Sequence, residues 1–572
     1  MITFIKIIFF VLSTIGTWEL IRRNTKIELC FLPGLSVAGQ TCLLFIGGIL
    51  NFLSIFAYFL YCVGIGAVLI FTKKDKSIKF LKNYFNYEYI FLLITVIIMA
   101  VSLRGRIFNH YDNYSHWALV IKRMLTVDRY PNFKDTMIGF QGYPLGASTW
   151  IYYFAKMIKK SEWIQMLAKA YMMLVSVMPL FFFLRKNRFT GFLFILVSSN
   201  FLLCYNGQAV DMLVDDLLPL VGMSGAVYSY AYCKEYSNDS KLYFNAVILY
   251  LIQLMQIKNS GIFFVVGIGM VILFMDKKPL IDRLICFLPP LASYYIWTAH
   301  CKYVFSDAAL TKHSMTVDNY VQVVGSKTTD EIHTIVHQMY DFTVHNNRVI
   351  FVLVFIIATI LFVFIFDKER IKDCLMLSGI AVVIYAIYQI GMLGMYIFSM
   401  PTNEAIGLSG VMRYTQTILL VIIYMMIIMV LISISELKNH HKLNAALMTA
   451  CLLVIVLQYK TFGKISLAFK YVDVYDQTER IWIEEQKRKY SVPEEESYAI
   501  LIHDGKNTDY TMHLCTYIFQ SNRIKSRIIK TEEDMNEIDS KYVFCYDSDN
   551  EVIRNWVKMT HPDQEDNLVI VQ

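Results

Sequence analysis

The chain is poor in charge, and it lacks the short motifs that mark soluble enzymes using nucleotides or metals. Only 17% of its 572 residues are Asp, Glu, Lys or Arg, against about 25% in ordinary soluble proteins. It has no Walker A sequence and no Gly-x-Gly-x-x-Gly loop, so no phosphate-cradling turn for ATP or a dinucleotide is encoded. Eleven Cys are scattered without a Cys-x-x-Cys pair, which excludes a zinc ribbon and a thioredoxin-type redox motif. Cys515 and Cys545 share the polar C-terminal stretch, and spacing alone does not make them a disulfide. His333 and His337 stand four apart, on one helical face as zinc ligands would be. With no His-Glu-x-x-His and no third ligand they read as solvated side chains, and no metal site is expected.

What is abundant is apolar and aromatic: 56% hydrophobic residues, 15% aromatic, and a mean hydropathy of +0.46. A window of about 19 residues finds roughly fourteen candidate spans. They lie near 2–20, 33–51, 53–71, 89–103, 163–184, 189–205, 213–232, 241–257, 261–275, 281–299, 348–366, 374–399, 414–435 and 443–461. The expected fold class is a polytopic all-α membrane protein with about 13–14 transmembrane helices and a small C-terminal α/β domain. Residues 1–87 hold three leading spans. Residues 88–465 form the main helical module, with long polar segments at 104–142 and 300–346. Residues 466–572 form the soluble tail.

Charge tests this count. The formal net charge of +7 belongs in cytoplasmic loops of such a protein rather than on nucleic acid. The N-terminal run has no small-residue cleavage site and is followed by Arg22-Arg23, so it reads as a span ending in the cytoplasm. Every loop after an odd-numbered span should then be basic. These loops carry Arg22, Arg23 and Lys26; the Lys73–Lys82 cluster; Arg185, Lys186 and Arg188; Lys234 and Lys241; Lys277, Lys278 and Arg283; Lys368, Arg370 and Lys372; and Lys438 and Lys442. Segments 104–142, 206–212, 300–346, 400–412 and the tail all fall on the opposite, extracytoplasmic side.

In the tail, Val472 to Lys489 has helical spacing, and Tyr498–Ile502, Ser526–Ile529, Tyr542–Cys545 and Leu568–Val571 read as short strands. Thr508–Phe519, the stretch after Thr531 and Glu551–Met559 read as helices between them. Thr531-Glu-Glu-Asp534 has a capping-box pattern. Strand alternating with helix predicts a small parallel α/β layer. It carries no catalytic pattern.

The polar groups on the outer side carry the chemistry. Asp112 and His116 follow the fourth span, in Tyr111-Asp-Asn-Tyr-Ser-His-Trp117. Asp211, Asp215 and Asp216 sit at the entry to a later span, in Val210-Asp-Met-Leu-Val-Asp-Asp-Leu-Leu-Pro219. A carboxylate beside hydrocarbon costs roughly 2.5–3.5 kcal/mol on insertion scales, so such residues face a polar cavity. A carboxylate in a partly dry site can take the proton of an attacking alcohol. The cations are Lys258 in Gln256-Ile-Lys-Asn-Ser-Gly261, Arg413 in Gly410-Val-Met-Arg-Tyr414, and Lys312 with His313 in the long outer segment. Arg forks onto phosphate oxygens and Lys supplies a point charge. Tyr111, Trp117 and Tyr143 belong to the interfacial aromatic belt and can also stack on a sugar ring. Glu404, in the 400–412 turn, joins Asp211 among the substrate-binding candidates.

Acids suited to an acceptor and cations suited to a phosphate occur together on the side where no nucleotide sugar is available. This predicts a polyprenyl-phosphate-linked sugar as donor, membrane lipid as its medium, and an extracytoplasmic acceptor. No cofactor is expected, a divalent cation being the one option.

These stretches resemble the GT-C superfamily of integral-membrane glycosyltransferases, which includes protein O-mannosyltransferases and aminoarabinose transferases. The resemblance rests on the acidic motif at Tyr111–Trp117, the Tyr143-Pro144 turn, the second acidic site at Asp211–Asp216, and a soluble domain after the last span. It covers roughly 89–461. It implies a glycosyltransferase in which Asp112 is the base or organises the acceptor; in a transferase built from these residues His116 would position the acceptor and Asp215 or Asp216 would shape the cavity. Many members have two adjacent acids in the first loop, whereas here Asn113 follows Asp112, which removes one ligand of any first-loop metal. The span count also suits a lipid-linked oligosaccharide flippase, which should show two related halves; no internal repeat is evident. A surface-polysaccharide polymerase or ligase would favour a large Arg-rich outer loop; 300–346 has no Arg.

Overall fold

The computed structural model describes residues 2–25, 27–184, 187–204, 210–235, 241–305 and 317–457, and in the tail 478–494, 496–502, 508–521, 523–528, 531, 540–545, 550–560, 562 and 568–570. The first part of the bundle contains α1 (Ile2–Thr25), α2 (Leu32–Ile49), α3 (Leu53–Asp75), α4 (Tyr87–Leu103), α5 (Ala118–Val127), α6 (Gly146–Ile158) and α7 (Glu162–Val177). Its middle contains α8 (Arg188–Cys204), α9 (Leu217–Glu235), α10 (Lys241–Ile257), α11 (Gly261–Met275), α12 (Leu280–Leu284), α13 (Leu288–Val304), α14 (Val317–Gly325) and α15 (Thr329–Val344). It closes with α16 (Asn347–Phe366), α17 (Ile371–Phe398), α18 (Thr402–Ile406), α19 (Val411–Ile434) and α20 (His441–Leu457).

Among the described residues, each of the fourteen expected spans overlaps a helix, although 213–216 is irregular backbone before α9. Among the described residues, seven helices are long and apolar enough to cross a membrane, and five apolar helices are shorter. The chain is a polytopic helical membrane protein. Burial separates two kinds of helix. The apolar window of Asn347–Phe366 is only 22% buried, so its side chains meet lipid on most sides. Those of Glu162–Phe183 and Val411–Asn439 are 94% and 89% buried, as in the centre of a bundle. α7 and α19 therefore lie inside the bundle, both packed on the buried α9, and α1, α3 and α16 lie on its outside.

Local chemistry sets the helix ends. The Asn86 side chain caps α4 by accepting from the Tyr89 N–H at 3.0 Å. Thr328 and Glu331 make a reciprocal capping box at the start of α15. At the end rich in basic loops, the buried Glu19 carboxylate is held by Arg22, Arg23 and Tyr84.

Two features depart from expectation in segment 104–158. The polar segment is not an open loop: Asn113–Trp117 is a π-helical turn that runs into α5. α6, with 13 residues, is nearly all buried; it is shorter than a span and so too short for a 19-residue window to find.

The tail comprises α21 (Thr478–Lys489), β1 (Ser497–Ile502), α22 (Thr508–Phe519), β2 (Arg523–Ile528), β3 (Tyr542–Cys545), α23 (Glu551–Thr560) and β4 (Leu568–Ile570). The sheet order is β2-β1-β3-β4. The first three strands are parallel, as expected, but β4 pairs antiparallel with β3. The expected helix after Thr531 falls on residues 532–539, outside the described residues, as does 472–477. Cys515 and Cys545 are both free and buried.

The tail docks on the segment between α4 and α7. Arg480 on α21, 4% exposed, pairs with Glu162 at 2.6 Å and donates to the Phe108 carbonyl at 2.7 Å. Tyr517 on α22 also donates to Glu162, and Lys122 on α5 donates to the Tyr517 carbonyl.

Candidate functional site

Between the π-helical turn, the 134–143 segment, the start of α19 and the tail lies a cavity of about 630 Å³, within the size range of small-molecule sites. Nine of the thirteen sequence-predicted site residues line it: Tyr111, Asp112, His116, Trp117, Tyr143, Asp215, Lys258, Glu404 and Arg413. They come from six separate parts of the chain.

The charged groups form an alternating chain. Arg413 Nη1 donates to Asp112 Oδ2 at 2.8 Å. Its Nε lies 3.3 Å from Asp215 Oδ2, at ion-pair distance but without hydrogen-bond alignment. Lys258 Nζ donates to Asp215 Oδ1 at 2.6 Å. Burial pushes the Asp215 carboxyl up, but Lys258 and Arg413 outweigh it and hold the group below the usual carboxylate range. Asp215 is therefore a fixed anion between two cations. Asp112 is the more exposed acid, with 29% of its side chain accessible against 4% for Asp215.

Backbone geometry sets these groups in place. The wide turn of a π-helix, a form concentrated at functional sites, lets Asp112, Ser115 and His116 all border the cavity. Gly410 caps α19 with φ +79°, a left-handed conformation that glycine adopts without strain. It places Arg413 in the first turn, with Thr417 one turn on donating to the Asp215 carbonyl at 3.1 Å. At Gly146 an added Cβ would lie 2.7 Å from the Gln256 carbonyl oxygen. This close approach of α6 to the end of α10 brings Tyr143 toward Lys258.

An aromatic wall faces the charges. Tyr143 stacks on Trp117 (centroids 5.6 Å apart, 25° between planes) and on Phe140 (5.3 Å, 18°). His116 meets Trp117, Phe140 and Tyr143 edge-on at 4.8, 5.3 and 5.2 Å. Burial, aided by the nearby Lys258 charge, pushes the His116 pKa down to about 3, so the imidazole is neutral at working pH.

The other predicted residues lie elsewhere. Asp216 is buried outside the cavity lining. Asp211 also lies outside it: Lys169 Nζ, fully buried on α7, sits 3.3 Å from its carboxylate, and the Leu213 N–H donates to that carboxylate at 2.9 Å. Lys312 and His313 fall on residues 306–316, outside the described residues. His333 and His337 are exposed on α15. Among the described residues there is no group of three or more His, Cys, Asp or Glu that could hold a metal ion.

Three contributors escaped sequence reasoning. Asn113, beside Asp112, accepts from the Met212 N–H at 2.9 Å and ties the π-turn to the 210–216 turn. Lys169 is the one cation of the mostly apolar α7, and that was its signal in the sequence. His513 comes from the tail, lines the cavity and meets Tyr111 edge-on at 5.2 Å; no local pattern marks it.

No protein-family model matches the chain, and neither does any curated protein or solved structure.

Proposed function

We propose that the protein is a membrane glycosyltransferase of GT-C type, moving a sugar from a polyprenyl-phosphate donor to an acceptor outside the cytoplasm. The observation that carries this is the Asp112–Arg413–Asp215–Lys258 chain in one cavity beside stacked aromatic rings. Two cations serve a phosphate, one accessible acid serves an alcohol, and aromatic faces serve a sugar ring.

In this mechanism the acceptor hydroxyl sits against Asp112 and attacks the anomeric carbon of the donor. The new C–O bond forms as the bond from that carbon to the phosphate oxygen breaks. The hydroxyl proton passes to Asp112, and polyprenyl phosphate leaves with its charge on Lys258 and Arg413. Attack from the face opposite the leaving group inverts the anomeric centre. Asp215 keeps both cations in place when the site is empty. The N-terminal end of α19 borders the cavity and adds its positive dipole to the phosphate side.

The test is incubation of purified protein in lipid with a panel of labelled polyprenyl-phosphate sugars and candidate acceptors. Release of polyprenyl phosphate with movement of label to acceptor is the expected result. Translocation of an intact lipid-linked sugar, with no bond broken, would establish a flippase instead.

A further inference from the structure

His116 is only 2% exposed, borders the cavity and has no hydrogen-bond partner on either ring nitrogen. A buried polar group left unmatched is costly, about 1–3 kcal/mol, and native structures pair nearly all of them. Its edge contacts with Trp117, Phe140 and Tyr143 fix the ring plane, so the imidazole is held ready without being used by the protein itself. It takes no part in the proton or phosphate steps above, which run through Asp112, Arg413 and Lys258.

We propose that His116 is the specificity-determining contact for the transferred sugar, and that this sugar is an uncharged hexose or pentose whose ring hydroxyls bond to the two imidazole nitrogens. A neutral imidazole offers one N–H donor and one acceptor nitrogen. Neighbouring hydroxyls of a sugar match that pair, and the aromatic wall covers the apolar face of the ring. A uronic acid or amino sugar fits poorly. Its charge would be buried among aromatic rings against a neutral partner, while Asp112, Arg413, Asp215 and Lys258 are already paired with one another. Sites that hydrogen-bond a substrate hydroxyl discriminate strongly against analogues lacking it.

The inference rests on the donor reading above, and the experiment separates the two. Binding to purified protein is measured for three lipids with the same phosphodiester charge: polyprenyl phosphohexose, polyprenyl phosphohexuronate and polyprenyl methyl phosphate, which has no sugar. The expected result is that the hexose lipid binds about tenfold more tightly than the methyl diester, one good hydrogen-bond pair's worth, and the uronate lipid does not. His116→Phe, which keeps the ring in the aromatic wall, should erase the hexose advantage and leave methyl-diester binding intact. Equal binding of hexose and uronate lipids by the unaltered protein overturns the proposal whether or not the variant folds, as does a hexose advantage surviving in His116→Phe. Failure of all three lipids to bind overturns the donor reading and this proposal together.

Discussion

Arg413 donates to Asp112 at 2.8 Å across 301 positions of sequence. The same guanidinium approaches Asp215, so one side chain links the segment after α4, the turn before α9 and the first turn of α19. Removing either end of the Asp112–Arg413 pair therefore has different consequences. Asp112 is partly exposed, and Asp112→Asn should leave expression and thermal unfolding close to those of the parent. Transfer should fall by roughly 10²- to 10⁴-fold, the usual worth of a general base.

Arg413→Lys keeps the charge but not the planar fork that spans two carboxylates. It should lower turnover about 100-fold through misplacement of the phosphate, read as a loss in kcat rather than a change in fold. A Lys variant with unaltered turnover would show that a point charge is enough there.

How much of this was legible beforehand depended on the range of the interaction. Spans were readable because lipid demands a continuous apolar run, and the strands and helices of the tail were readable from their alternation. The acids Asp112 and Asp215 and the cations Lys258 and Arg413 were readable because a charge beside hydrocarbon needs a reason. α6 was not readable, since 13 residues are too few for the continuous apolar run by which spans are found. Nor was the grip of Asn113 on the 210–216 turn, or the arrival of His513 from the tail: both are long-range contacts that leave no local period. Asp211 and Asp216 lie in the same turn as Asp215 but do not reach the cavity, because the irregular backbone at 211–216 gives neighbouring side chains different surroundings.

The tail is fastened through Arg480 and Glu162, paired at 2.6 Å with 4% and 15% of their side chains exposed. Arg480→Ala leaves a largely buried carboxylate and should destabilise tail docking by about 3–5 kcal/mol, the cost of breaking a buried pair from one side. The double change Arg480→Met with Glu162→Gln should recover part of that loss. Thermal unfolding and protease nicking of the tail read both. Equal sensitivity of the single and double variants would show that the pair is not coupled.

Acid should act on His116 through stability. Its pKa in the folded chain is about 3, below the ordinary value near 6.5. Between those values the unfolded chain binds more protons, so stability falls as pH drops from about 6.5 toward 3. His116→Phe should flatten that decline. No limb of the activity profile near pH 6.5 should disappear in the variant; one that did would show His116 titrating in the working range.

Gly146 marks a close approach of α6 to α10. Gly146→Ala places a methyl against the Gln256 backbone, and overpacking of this kind costs about 1–3 kcal/mol. The expected outcome is a lower unfolding temperature with weaker donor binding, since Tyr143 and Lys258 flank the contact. Gly139→Ala, where an added Cβ meets nothing within 4 Å, should leave the unfolding temperature unchanged and serves as its control.

Asp112, Arg413 and Lys258 are proposed to act together on one lipid-linked sugar. The most direct measurement follows a doubly labelled donor, with one label on the sugar and one on the polyprenyl phosphate, in membranes holding the parent protein or Asp112→Asn. The labels should separate in the parent, with the sugar joining the acceptor, whereas Asp112→Asn should bind the donor but keep both labels together. Label separation at the parental rate in Asp112→Asn, or labels that never part in either protein, would contradict that proposal.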